Sequence, residues 1–444
     1  MSVTTASLTG GSSVGRFPNI RLQQISCFGE LARFVNPAPI VACCYAATFC
    51  PAQCKESAAS MTSLIPEDLS LPGTHALVIG VSAYEFLSGG ANCSPQGCAF
   101  RIGQLSAAAR SASEFAAWLI TGYNRPDRPL RSLRVLLSPS PNETIAPSIQ
   151  ALLKGDWQAT RKNVDIMFTH FRDAAGSHDE NVAIVYVVGH GVQFSKNGAV
   201  LLLNDFADPM HRYETYTGAV DMRWMHDAMN QENEIAQTQF WFVDVCRDLP
   251  KELEKYEVLA GVKGGNVTRT GSAKSSPLFL SASPGQGAFA KLNGLTLFCD
   301  ALLKGLREGH AARSEGERNS PWRVSVNTLL EYLPDAVQAL AGVGGKTQEV
   351  ECTGKMTNAV LHECLTPPDV DLTISIRSGH NNSNYTANLK HRGSTLYKGY
   401  SSWPLTARVP AGLYAIEVTT LSPPGSDEDC LNLQPPVNEK EIPL

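Results

Sequence analysis

Apolar residues along this chain arrive in two rhythms, and the change between them falls near Pro367-Pro368. Before that point, solid apolar runs alternate with stretches of helical spacing. The runs are His75–Val81, Ser132–Leu137, Val182–Gly189, Phe240–Val245 and Pro277–Ala282. They are β-branched or aromatic and stop at Gly, Ser or other polar residues, as strands buried on both faces of a parallel sheet do. Between them, Leu105–Leu119, Val164–Ala174 and Leu295–Leu306 carry apolar positions three and four apart. That spacing predicts amphipathic helices lying on the sheet. Asp221–Asn230 is a further short helix, and its Met222, Met225 and Met229 stripe reads as core. Val324–Leu340 reads as a helix broken or bent at Pro334. Strand alternating with helix predicts an α/β fold with a mainly parallel sheet covered on both faces.

Beyond Pro367 the period becomes two. Leu372, Ile374 and Ile376 alternate with polar residues, as do Tyr385, Ala387 and Leu389, and Tyr414, Ile416 and Val418. This predicts half-buried antiparallel strands, a small all-β sandwich over 370–424 followed by a polar tail. The chain thus divides into an extension (1–70), an α/β domain (72–365) and a C-terminal β domain with its tail (368–444).

Two of the apolar runs end on chemistry. Val182–Gly189 is followed by His190-Gly191, and Phe240–Val245 by Cys246-Arg247-Asp248. In open α/β sheets the reactive groups sit at the carboxyl ends of the strands. A thiol and an imidazole there are the minimum set for a cysteine nucleophile and its base. Cys246 as thiolate would attack a carbonyl, His190 would move the proton, and the N–H groups of Gly191 and Cys246 could hold the oxyanion.

Composition narrows the alternatives. A net charge of −5 with no long basic run does not suggest a nucleic-acid surface, and no apolar stretch reaches membrane-spanning length. Five of the twelve cysteines (Cys27, Cys43, Cys44, Cys50 and Cys54) crowd into the first 60 residues. The other seven are scattered without paired spacing, which reads as reduced, cytoplasmic usage. The crowded segment admits several readings: a disordered tail, a secretion or lipoprotein signal around Cys43, a zinc site, or an over-extended start with Met61 as the true first residue. Gly342–Thr347 imitates a phosphate loop, but Leu340 stands where its first glycine belongs. Cys352, His362 and Cys364 fit no standard zinc spacing and read as core.

Taken in order, His75–Val81, Tyr186–Gly191, Asp244-Val-Cys246-Arg-Asp and Leu278–Gln286 resemble the caspase-like cysteine peptidase clan, nearest to bacterial caspase and metacaspase homologues. The 56-residue step from His190 to Cys246 fits the same family. The resemblance covers roughly 75–350. It implies a caspase-haemoglobinase-like fold and a cysteine endopeptidase with His190 and Cys246 as its dyad. It further implies that Asp244, two residues before the nucleophile, lines the first substrate pocket and favours Arg or Lys before the cut bond. Metacaspases add a second acid early in the first helix, and here Ser111 stands in its place. Asp205 corresponds to another acidic position of the family. Lys263, Arg269 and Lys274 lie where the family is often cut into two subunits, and are candidate self-cleavage points. No cofactor is required for the chemistry. Activation would come from a protein partner, self-cleavage or an ion such as calcium. The resemblance carries a role in bacterial defence or regulated cell death, with a catalytically silent scaffold as the alternative.

Overall fold

The computed structural model describes residues 62–193, 198–211, 216–230, 235–247, 274–291, 294–316, 320–376 and 384–442. These all fall in one compact unit, Pro51–Leu444. Met61, the five early cysteines, Asp248, Lys263 and Arg269 lie outside the described residues.

Strand β1 (Thr74–Val81) starts the central sheet. Helices α1 (Pro95–Ala99) and α2 (Ala108–Thr121) follow, then β2 (Leu130–Ser138), which pairs in parallel with β1. After α3 (Pro147–Gln150) and α4 (Arg161–Ala175), β3 (Val182–Gly189) pairs in parallel with the other side of β1. A small antiparallel sheet comes next, made of β4 (Gly191–Val192), β5 (Val200–Leu202) and β6 (Ala219–Asp221). Helix α5 (Met222–Ala228) then leads to β7 (Thr238–Val245), parallel beside β3, and β8 (Ser276–Leu280), parallel beside β7. Helix α6 (Leu297–Arg307), strand β9 (Trp322–Ser325) and helix α7 (Val326–Val343) precede β10 (Glu351–Lys355), which runs antiparallel to β8. Strand β11 (Val360–Cys364) pairs with β9. Across the sheet the order is β10-β8-β7-β3-β1-β2. The chain lays β2 on one side of β1 and β3, β7 and β8 on the other, so the winding reverses beside β1. That reversal is where an open α/β sheet leaves a crevice.

Alternate residues of each strand feed two cores. Ala76, Val78, Tyr186 and Phe242 join Phe115, Trp118 and Phe298 on one face. Leu77, Ile79 and Trp241 join Met167, Phe171 and the fully buried Met222 and Met225 on the other. Each such side chain contributes about 1.5–3 kcal/mol by leaving water. Both faces of the sheet are covered, as the solid apolar runs require.

Three expectations need correction. Helix α2 begins at Ala108 and not at Leu105, because the Ala109 N–H that would bond the Leu105 carbonyl goes to the Ser82 hydroxyl instead. Ala107 has no side chain to cap the helix, so the Ser82 hydroxyl, just past β1, accepts from the Ala108 and Ala109 N–H groups (both 3.0 Å). Val324 belongs to a strand, and α7 runs unbroken from Val326 through Pro334 to Val343. Ser325 and Thr328 form a reciprocal capping box that sets its start. Reduced cysteines throughout the body do not hold either: Cys93 and Cys98 are joined by a disulfide across α1.

The C-terminal region is all-β. One sheet has the order β15 (Leu405–Pro410), β12 (Asp369–Ile376), β18 (Val437–Ile442). The other runs β14 (Ser394–Tyr400), β13 (Tyr385–His391), β16 (Gly412–Leu421), β17 (Pro424–Leu433). The three alternating sets read from the sequence are all buried. The segment taken as a polar tail supplies β17 and β18, which bury only Leu431, Leu433 and Ile442, half-bury Asp429, Asn438 and Lys440 and expose the rest. The apolar cluster on the α2 and α6 face continues into this region. Gly309, just past α6 at φ +72°, lies against Pro368, and a Cβ there would meet Pro368 Cβ at 2.6 Å. Only glycine allows both that backbone and that approach.

Candidate active site

Strands β3 and β7 pair in parallel with Val188 opposite Asp244 and Gly189 opposite Val245. His190 and Cys246 follow directly on that last pair, one at the end of each strand. Both are half-buried at the sheet's carboxyl edge, beside the reversal of the winding. Gly191 is pressed against the same place, since a Cβ on it would lie 2.5 Å from the Cys246 carbonyl oxygen and from Val245 Cβ. Any side chain at 191 would push the two strand ends apart.

His190 is held from three directions. Its N–H donates to the Tyr84 hydroxyl (2.7 Å), which itself donates to the Val81 carbonyl (3.1 Å). The Tyr84 ring lies against the imidazole, with centroids 5.0 Å apart. Nε2 bonds the Gly103 carbonyl at 2.9 Å. A carbonyl only accepts, so Nε2 carries the hydrogen and Nδ1 is the bare nitrogen of the neutral ring. Burial holds the pKa of His190 below its ordinary 6.5, only partly offset by the Gly103 carbonyl, so the ring is neutral near pH 7. Gln104 fastens the loop that carries Gly103: it accepts from the Tyr84 N–H (2.7 Å) and donates to the Tyr84 and Ser88 carbonyls (both 3.0 Å).

Cys246 sits in a different mesh. Its sulfur accepts from the Ala288 N–H at 3.2 Å and lies 3.7 Å from the Ala288 carbonyl. The neighbouring Arg247 is 1% exposed and ion-paired to Glu351 on β10, with a further bond to the Ala282 carbonyl (3.2 Å). Its backbone joins Gln286 and Gly285 (2.9 and 2.7 Å), which tie the segment after β8 to the nucleophile.

Asp244 lies two residues before Cys246 on β7, hence on the same sheet face and about 6–7 Å further down the strand. It is 2% exposed. Its Oδ2 accepts from the Tyr186 hydroxyl (3.1 Å) and from the Thr296 hydroxyl, while its Oδ1 is buried without a hydrogen bond. Burial raises its pKa to about 6, against the pull of the Thr296, Ser281 and Tyr186 hydroxyls. Ser111, where a second acid was sought, is fully buried, and its hydroxyl accepts from the Thr296 N–H (3.0 Å).

Asp205 is elsewhere. Both its carboxylate oxygens accept from the Arg161 N–H at the start of α4 (3.1 and 3.0 Å), beside a cavity of about 450 Å³ lined also by Asp165, Asp208 and His211. Burial raises its pKa. It joins neither His190 nor Cys246 through any bond to these residues. Lys274 is exposed just before β8. His362 uses Nδ1 to accept from the Asn124 N–H (3.0 Å), a structural role, and its buried ring has a pKa lowered to about 4. Among the described residues no three His, Cys, Asp or Glu side chains are placed to hold a metal ion. No helix among them is long and apolar enough to cross a membrane.

Sequence reasoning missed Tyr84, Gly103, Gln104, Thr296 and Glu351. Gly103 acts through its backbone and leaves no side-chain signal. Tyr84 had one available: a large polar aromatic three residues past a strand end at the reversal of the winding.

Comparison with known proteins gives the family. The caspase domain family model, a peptidase family, matches residues 74–358, more than half of the chain. The chain therefore belongs to the caspase domain family, whose members act on proteins. Among solved structures, caspase-1 from Spodoptera frugiperda aligns over 68% of this chain and 96% of its own, at 12% identity and a TM-score of 0.37. No curated protein matches the chain.

Proposed function

We propose that this protein is a cysteine endopeptidase that cuts after Arg or Lys, with Cys246 as nucleophile and His190 as base and acid. The observation that carries the reading is the β3–β7 register, whose last pair is Gly189 and Val245, so that His190 and Cys246 are the next residue on each strand. The bare Nδ1 of neutral His190 takes the thiol proton, and the thiolate adds to the scissile carbonyl. The N–H groups of Gly191 and Cys246 receive the oxyanion. As the C–N bond breaks, His190 returns the proton to the leaving amine. Water, deprotonated by His190, then releases the acyl group from sulfur and restores the thiol. That Asp244 lines the first pocket is what the family resemblance implies, and distance and charge support a basic residue there. A residue bonded at Cys246 needs a side chain reaching about 6–7 Å to meet Asp244. Arg and Lys span that reach with a cation, whereas Asp is too short and of the wrong sign.

One observation favours the silent-scaffold alternative: Ala288 occupies the sulfur and Asp244 is closed from solvent. We read this as a latent form that substrate, a partner protein, self-cleavage at Lys274 or calcium must open. A role in bacterial defence or regulated cell death is what the family resemblance implies. The test is cleavage of fluorogenic peptides with Arg, Lys or Asp before the bond, for wild type and Cys246→Ala, with and without calcium. Cys246-dependent cleavage after Arg or Lys is expected. Cleavage after Asp alone sinks the pocket assignment. Silence throughout, together with no labelling of Cys246 by an Arg-directed acyloxymethyl ketone, leaves the scaffold.

A further inference from the structure

We infer that Thr296 is the positioning residue of the first substrate pocket: its hydroxyl holds Asp244 Oδ2 and leaves Oδ1 as the single open acceptor for a cationic side chain. The inference rests on the pocket reading above and adds a residue to it. Thr296 caps α6, and its hydroxyl oxygen accepts from the Cys299 N–H at 3.2 Å. With the oxygen so used, its hydrogen points outward and is given to Asp244 Oδ2. Tyr186 donates to the same oxygen (3.1 Å). Two donors therefore converge on Oδ2, while Oδ1, equally buried, has none. A carboxylate with one oxygen saturated and the other bare is oriented: it has one way left to bind a donor. Thr296 is itself fixed from behind, because its N–H donates to Ser111 Oγ (3.0 Å). Ser111 thus acts on the pocket through Thr296, which is why a serine there is not simply a lost acid.

The surroundings of Asp244 leave this task to few groups. From β3 it meets Tyr186, from α6 Thr296 with the Cys299 thiol behind it, and from the end of β8 Ser281. No charged group among the described residues contributes to its ionisation, which burial opposes and these hydroxyls favour. Removing the Thr296 hydroxyl removes one of the two donors to Oδ2, so the carboxyl would hold its proton to higher pH. A protonated Asp244 carries its hydrogen on Oδ1, the oxygen that the substrate cation needs.

Three substitutions test this. Thr296→Val loses both the cap and the donor, Thr296→Ser keeps both, and Thr296→Asp keeps the cap but sets a second carboxyl against Asp244 in place of the hydroxyl donor. At pH 7, Thr296→Val and Thr296→Asp should each lower kcat/KM for an Arg peptide by about tenfold or more, mostly through KM, as loss of a hydrogen bond to a charged group does. Thr296→Ser should stay within about twofold of wild type. A peptide with citrulline in place of Arg should be affected little by any of them. In the Cys246→Ala background, the ¹³C-NMR midpoint of the Asp244 carboxyl should rise by about one pH unit in Thr296→Val. Equal losses on Arg and citrulline peptides, or recovery by Thr296→Asp, would mean that Thr296 only caps α6 and overturns the inference. An unmoved Asp244 midpoint overturns it too. That midpoint is read without turnover, so a wild type that fails to cut after Arg defeats the pocket reading and leaves the titration to decide on Thr296.

Discussion

His190 is fixed by neutral groups, a tyrosine hydroxyl and ring on one side and the Gly103 carbonyl on the other. Cys246 and Asp244 are fixed by a mesh that includes buried charge, through Arg247–Glu351 below the nucleophile and the carboxylate under its hydroxyl donors. Neutral partners hold a geometry almost independently of pH and salt. Buried charges hold it more tightly but tie it to ionisation, and removing one partner strands the other. The base half of the site is therefore a rigid fixture, and the nucleophile and pocket half is where conditions act.

The largest effect that would break this comparison comes from its two centres. Cys246→Ala and His190→Ala should each reduce turnover by roughly a thousandfold or more, with folding unchanged by circular dichroism. Retention of more than a tenth of the activity by either variant would remove the dyad. Next comes Asp244→Asn, which should cut kcat/KM for Arg peptides by about a hundredfold, as loss of a charge-assisted pair does. Its effect on stability runs the other way. The folded pKa of Asp244, about 6, is above its unfolded 3.8, so the folded state holds the extra proton and stability falls as pH rises between these values. Relative to wild type, Asp244→Asn should gain thermal stability at pH 8 over pH 4, by on the order of 3 kcal/mol. A difference in Tm that does not depend on pH would show that the carboxylate is not buried as described.

Smaller effects sharpen the contrast. Glu351→Gln leaves Arg247 buried without its counter-charge. Glu351 is itself 37% exposed, which tempers the cost to about 1–2 kcal/mol. A urea titration should show that loss, and added salt should narrow the gap. Tyr84→Phe removes two neutral hydrogen bonds, about 1 kcal/mol each, and should slow turnover roughly fivefold. Its pH–rate profile should keep the wild-type acid limb. For an uncharged substrate that limb should lie below pH 6.5, since His190 is held below its ordinary value. A limb displaced by Tyr84→Phe would mean that the tyrosine tunes His190 as well as placing it.

The strands, and with them the ends that bear His190 and Cys246, were legible because burial on both faces writes itself as continuous apolar sequence. The half-buried β strands were equally plain in Leu372, Ile374 and Ile376. What was not legible acts across distance. Ser82 caps a helix that starts 26 residues later, with the oxygen that should have come from Ala107. Asp244 meets Thr296 52 residues further on, and Arg247 meets Glu351 after 104. No local pattern marks such pairs. Strands β17 and β18 escaped because edge positions facing water carry polar residues on most of their length. Pro334 misled because proline weakens a helix locally, whereas here buried Leu329, Tyr332, Leu333 and Val337 anchor the turns on both sides of it.

Helix α6 spans eleven residues, a rod of about 16 Å. At one end its cap, Thr296, bonds Asp244, and just past the other end Gly309 is the seat of Pro368. Cutting the chain at 367 to obtain a minimal caspase domain would therefore bare the far end of the beam on which the proposed specificity pocket is hung. A truncated enzyme should be judged first by how faithfully it still distinguishes Arg from citrulline, and only then by how fast it works.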